Sequence, residues 1–147
     1  MAAEKDDLST IDGLMCAVYD TISGPAGPRD WDRERNLFLP GAGLMPAGRG
    51  PAGGNAGAIF DIEGYVASRT PFFESTAFWE RETARREFRF GDKADVLSAY
   101  EGRNAPDGPV ILRGINAFHL WSDGKRWWIA SIVWENESEG KPLPRVG

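Results

Sequence analysis

His119 is the only histidine in a chain of 147 residues. Its imidazole titrates near neutral pH, which suits it to general acid or base work. Tyr100 adds a phenol on a neighbouring stretch, and the two form the expected catalytic pair. Arg113, Asn116 and Glu135 are polar groups on stretches that otherwise look buried. Buried polar groups need partners. These three therefore either satisfy one another or anchor a ligand in a mostly apolar pocket, the usual anatomy of a small-molecule site. Trp134 and Trp128 are expected to line that cavity, with Arg113 and Asn116 as its polar anchors. Tyr19, Met15 and Phe60 complete the expected ligand-binding set. The plainer reading of His119 is a hydrogen-bonded or rim histidine stacked near Trp128. One histidine and one cysteine do not make a metal site, so neither a metal nor another cofactor is expected. Cys16 reads as a buried, inert thiol, because nothing near it in sequence would lower its pKa.

Most of these residues lie in one stretch, residues 113–135, which holds four of the six tryptophans. Asp123-Gly124 in its middle is a strong hairpin signal, since a type I′ turn needs positive φ at both central residues. A two-residue turn pairs Trp121 with Arg126 and His119 with Trp128, and places Ala117, Ile115 and Arg113 on that same face. Phe118, Trp127, Ile129 and Val133 fall on the other. Both faces are largely apolar, whereas a hairpin wetted on one side alternates apolar and polar. The hairpin therefore needs cover on both sides: helices on one and a second copy of the chain on the other.

The elements that must position this hairpin are legible upstream. Leu8, Ile11, Leu14, Met15, Val18, Tyr19 and Ile22 recur at helical spacing, with Ser9 and Asp12 as a capping box. Asp30 can cap a second, shorter helix ended by Pro40. Residues 41–57 hold seven glycines and two prolines, which predicts a loop or flap with at most a short strand at Leu44-Met45. The stretch contains a formal G-x-G-x-x-G at Gly48, Gly50 and Gly53, but no helix can open after it, so it is not read as a phosphate loop. Ala58-Ile59-Phe60 reads as a short strand. Asp61 then caps a third helix over 62–76 that Pro71 should kink or break. Two strands follow, 79–90 and 93–103, joined at Gly91-Asp92. Helices followed by an antiparallel meander mean α+β.

Composition narrows the classes of function. At 147 residues the chain is expected to be one domain over 8–136, with a charged tail at 1–7 and a flexible tail at 137–147. A net charge of −5 argues against nucleic acid or anionic membrane as a partner. The first ten residues lack the apolar run of a signal peptide, and no stretch approaches a membrane span, so a soluble cytoplasmic protein is expected.

The pattern resembles the nuclear transport factor 2-like superfamily, which includes ketosteroid-isomerase-like and polyketide-cyclase-like proteins. The resemblance rests on ISGPAG after the first helix, RDWDRERNLFLPGA, PFFE, FRFGDKADVLSAYE, and RGIN…DGKRWW in the hairpin. It implies three helices packed in the concave face of a strongly curved, mainly antiparallel sheet. It also implies a pocket inside the cone and a homodimer through the convex sheet face, with Phe118, Trp127, Ile129 and Val133 as the contact. Trp134 matches a pocket-lining position, which would turn His119, Trp128 and Arg113 inward as well. The isomerase residues do not carry over. The general-base position falls on Pro46 and the proton-donor position on Ala117. The oxyanion-hole tyrosine falls near Val18, one residue from Tyr19. Without a base and a charge stabiliser there, that isomerase chemistry is not expected. The reading is a pocket protein for an apolar or aromatic small molecule. A dehydratase, cyclase or isomerase using His119 with a pocket tyrosine is the alternative.

Overall fold

The computed structural model describes residues 6–48 and 57–147. The described residues form three helices and five strands: α1 (Ile11–Ile22), α2 (Trp31–Arg35), β1 (Phe38–Pro46), α3 (Ile62–Ser75), β2 (Trp79–Phe90), β3 (Lys93–Arg103), β4 (Val110–Ser122) and β5 (Trp127–Asn136). The sheet runs β1-β5-β4-β3-β2. Only the β1–β5 pair is parallel. The helices lie on the concave face, as the α+β reading expects. None of the described helices is long and apolar enough to cross a membrane.

The first helix buries its predicted stripe. Ile11, Leu14, Met15, Val18 and Tyr19 join Val96, Phe118, Leu120, Trp127 and Ile129 in one core. Its cap is Thr10 rather than Ser9; the Thr10 hydroxyl accepts from the Gly13 amide at 3.0 Å. Cys16 lies on the opposite side of α1 and is exposed, not buried. Asp30 and Asp61 cap α2 and α3 as expected. The third helix continues through Pro71 instead of breaking into two pieces. The N-terminal tail is pinned where it becomes describable. Asp6 takes two hydrogen bonds from Arg33, which also reaches Asp20. At the other end Val146 is buried, so the C-terminal segment returns to the body of the protein.

Three expectations are corrected. First, most of the glycine-rich stretch up to Pro46 is strand, not flap. β1 pairs with β5 from Phe38 to Pro46, with a register shift between Phe38 and Gly43. Pro40 and Gly41 fall inside that shift, on an edge strand where a missing ladder bond is tolerated. The expected strand at 58–60 reduces to one bridge, Phe60 with Leu44. The rest of the predicted flap, and most of the G-x-G-x-x-G motif, lies outside the described residues.

Second, the hairpin turn spans four residues. Ser122 pairs with Trp127 as the last rung, and the Asp123 carboxylate accepts from the Lys125 and Arg126 amides. Third, the ladder shifts by one residue between His119 and Leu120, leaving Ala130 as the extra residue. Such a bulge inverts which residues face which way. Trp127 and Ile129 therefore share the concave face with Ile132 and Trp134. Phe118, Trp127 and Ile129 are core residues, 1%, 4% and 0% exposed, and cannot be a subunit contact. Of the four proposed contact residues only Val133 lies on the convex face.

Candidate functional site

The helices do not fill the cone. A cavity of about 240 Å³ remains between them and the sheet. Val18, Ile22, Phe38, Leu44, Phe73, Phe78, Leu112, Phe118 and Ile132 give it apolar walls. Phe78 can lie flat against β3 because residue 102 is glycine: a Cβ there would sit 2.8 Å from the Phe78 ring. Gly114 does the same for Tyr100, whose hydroxyl would be 2.2 Å from an added Cβ.

Polar groups enter from four elements. Glu34 comes from α2. That helix lays Trp31 edge-on against Tyr65 of α3 and at a tilt against Phe73. Glu34 is three residues on, so it shares the inward side of the helix. It is 3% exposed, and its carboxylate accepts from the Thr21 hydroxyl at 3.1 Å. Burial pushes its pKa up to about 7, against the hydrogen bond from Thr21 and the charge of Arg33. Glu80 opens β2, where the Ser23 hydroxyl clips its backbone amide and carbonyl at 3.0 and 3.2 Å. Its carboxyl faces the cavity, so it keeps some accessible surface while being surrounded by protein. Burial first, then the charge of Glu34, pushes it up to about 8. Two carboxyl groups in one low-dielectric space cannot both ionise cheaply.

Tyr65 and Arg69 lie one turn apart on α3. Tyr65 meets Trp134 edge-on at 5.9 Å. The Arg69 guanidinium lies over both rings, 5.8 Å from the centre of Tyr65 and 5.6 Å from that of Trp134. Tyr100 donates to the Asn136 side chain at 2.6 Å. Burial raises the pKa of Tyr65 and of Tyr100, so both phenols stay protonated. Asn116 donates to the Tyr19 hydroxyl at 2.9 Å, Tyr19 meets Ser98 at 2.6 Å, and Ser98 donates to Glu82. That chain fixes Asn116 in the wall.

The structure gathers some of the expected site residues and separates the others. Trp134, Tyr100 and Asn116 line the cavity. Tyr19 is core beneath it, reaching the wall only through its hydroxyl, and Met15 is core, 1% exposed. Phe60 packs at the edge of the core. His119, Trp128 and Arg113 are on the convex face. The His119 ring nitrogen meets the Ser131 hydroxyl at 3.0 Å on the exposed surface. Trp128 donates to Asp123 at 3.1 Å beneath the Arg126 guanidinium. Arg113 approaches Glu101 at 3.4 Å and is 47% exposed. His119 and Tyr100 therefore do not share a site. The Ala130 bulge, unreadable from alternation alone, causes the separation; the longer turn moves the register by two residues and so leaves the faces unchanged. Sequence reasoning missed Glu34, Tyr65, Arg69 and Glu80. Spacing held a signal for three of them: Glu34 stands at i+3 from Trp31, and Arg69 at i+4 from Tyr65. Among the described residues no cluster of three metal-ligating side chains occurs.

No protein-family model matches the sequence, and no curated protein matches it. Solved structures do match in shape. A protein of unknown function with a cystatin-like fold from Nostoc punctiforme superposes with a TM-score of 0.68 at 13% identity, over 91% of this chain and 92% of that one. An NTF2-like protein of unknown function from Methylobacillus flagellatus gives a TM-score of 0.55 at 15% identity, over 87% and 92%. The fold is the nuclear transport factor 2-like cone. A putative dehydratase of the NTF2-like family from Streptomyces avermitilis shares this cone as well, with a TM-score of 0.62 at 12% identity over 91% and 95%. At these identities the cone is shared as architecture.

Proposed function

We propose that the protein binds a small, largely apolar, ring-bearing molecule inside its cone. One observation carries the reading. Arg69, Tyr65 and the Glu80 carboxyl all meet an apolar cavity of about 240 Å³ without a hydrogen-bond or ion-pair partner among the described residues. Buried polar groups are normally paired. A few converging polar groups in an apolar, aromatic hollow describe a ligand site. The volume lies just below the usual range of roughly 300–1,000 Å³, which favours a ligand of one or two rings. Trp134 in the wall supplies the assay. Titration with steroid, terpene and polyketide fragments should shift the emission of the protein, and the shift should shrink in Trp134→Phe. A panel that leaves the emission unchanged at millimolar concentration refutes the reading.

A second reading, an acid–base enzyme of the dehydratase, cyclase or isomerase kind, is favoured by the Glu80 carboxyl. Pushed up to about 8, it is a proton donor at neutral pH. The dehydratase label of one structural relative points the same way by analogy. In this reading Glu80 and Glu34 replace His119 as the titrating pair. Turnover of a ligand found by the titration, abolished in Glu80→Gln with binding retained, would establish it.

We further propose that two copies associate through the convex face. Leu97, Trp121 and Val133 are large apolar residues there, 40%, 43% and 39% exposed, with Phe88 beside them at 70%. Sedimentation at micromolar concentration should give a dimer; a monomer refutes it. A cytoplasmic location belongs to the same reading, consistent with the unpaired, exposed Cys16.

A further inference from the structure

The cavity's polar groups differ in charge, and the difference identifies the ligand's chemistry. This step rests on the cone as a ligand site. Arg69 brings a guanidinium, a planar fork of N–H donors suited to a carboxylate. It is half-buried and held over the faces of Tyr65 and Trp134, yet forms no ion pair and no hydrogen bond among the described residues. A guanidinium in such a place ordinarily meets a carboxylate in a two-pronged contact. Two glutamates line the same cavity, but neither lies within ion-pair distance of it. Glu34 is turned to Thr21, and Glu80, at the start of β2, forms no ion pair with Arg69. Arg69 thus lines the cavity with no partner for its donors among the described residues. Tyr65 lines the same cavity, and its hydroxyl likewise has no hydrogen-bond partner among the described residues.

We propose that the ligand is an apolar ring compound carrying one carboxylate, with the carboxylate seated on Arg69 and Tyr65 and the ring against Phe73, Phe78 and Ile132. Charge around the cavity agrees with the geometry. Burial raises the pKa of both Glu80 and Glu34 and so favours their neutral forms. The net field across the space is then set by Arg69, and a neutral Glu80 carboxyl can donate to a second ligand oxygen. A cationic amine would be repelled by the guanidinium, and an uncharged amide would lose the opposite charge and the second acceptor oxygen of the two-pronged contact.

The test uses the intact chain and matched ligands: phenylacetate and 3-phenylpropionate, their two amides, and phenethylamine. Binding is read by tryptophan emission and by calorimetry. Each carboxylate should bind at least tenfold more tightly than its amide, and the amine should bind most weakly. Arg69→Gln should weaken the carboxylates far more than the amides and so bring the difference below twofold, and Arg69→Lys should keep part of it. Circular dichroism melts of both variants establish that they fold; Arg69→Met replaces Arg69→Gln if the latter does not. Equal affinity for acid and amide in the wild type, a preference for the amine, or an undiminished preference in the folded Arg69 variants overturns the proposal while leaving the cavity a ligand site. Failure of every compound, together with the wider panel above, overturns both.

Discussion

Replacing Glu34 by Gln should make the protein more stable at pH 8 and leave it nearly unchanged at pH 5. Glu34 is 3% exposed, and its carboxyl is raised from 4.5 to about 7. A carboxyl raised on folding binds its proton more tightly in the native state. Its contribution is therefore complete below about pH 4.5. It is lost as pH climbs towards about 7 and stays lost above that. At about 1.4 kcal/mol per pH unit, ionising Glu34 in place costs about 3 kcal/mol. Glutamine keeps an oxygen for the Thr21 hydroxyl and cannot ionise. The variant should thus gain about 3 kcal/mol relative to wild type between pH 5 and pH 8. Other titrating groups contribute to both proteins and largely cancel in that difference. Glu80 is the exception: with Glu34 neutral it loses a repelling neighbour, so its own pKa should fall. Urea denaturation of both proteins at pH 5, 6.5 and 8 gives the three differences directly. A difference that is flat with pH refutes the reasoning, because it means the Glu34 carboxylate is solvated or paired in the native state.

Gly102→Ala should cost about 1–3 kcal/mol by overpacking and should weaken ligand binding, because the new methyl would displace Phe78 and Leu112; an unchanged melt refutes the close approach. Phe118→Ala should cost about 3–5 kcal/mol at every protein concentration, as a core deletion does. Leu97→Glu should shift only the association equilibrium, so comparing the two by denaturation and sedimentation separates core from convex face. Carboxylate affinity should fall as pH rises through about 8, when Glu80 ionises beside Glu34, with Arg69, Tyr65, Tyr19 and Tyr100 as the other groups around it; calorimetry at pH 6.5 and 9 measures the ratio.

The sequence carried the architecture further than the site. The bounds of β2 and β3 were readable because period-two alternation met a Gly-Asp turn, and positive φ at Gly91 matches that turn. The face of α1 was readable because its stripe is wide. The two faces of the hairpin were not. Alternation is preserved on either side of Ala130, so one extra residue inverts half of the assignment while leaving the pattern's appearance intact. Glu34 was hidden differently. In WDRER, four charged residues follow one tryptophan, and the stretch reads as a solvated turn of helix. Only the packing of Trp31 on α3 turns the glutamate inward. Arg69 gave no sign in its own residue type, because its role depends on the carboxylates that fail to reach it.

The strand order also has a consequence for how the chain is made. β1 lies near the start of the sheet in sequence, yet among the described residues its ladder partner is β5, the last strand. A ribosome delivering residues in order therefore releases β1 some 80 residues before its partner exists. β2, β3 and β4 can zip as neighbours while translation proceeds, but β1 joins the sheet only when Trp127–Asn136 pairs between it and β4. Trp134 and Ile132 arrive with that strand, so the hollow acquires its floor only at the final step. A nascent chain stalled before β5 should hold an unpaired glycine-rich strand and an open aromatic hollow. That is the state in which this protein would most depend on a chaperone.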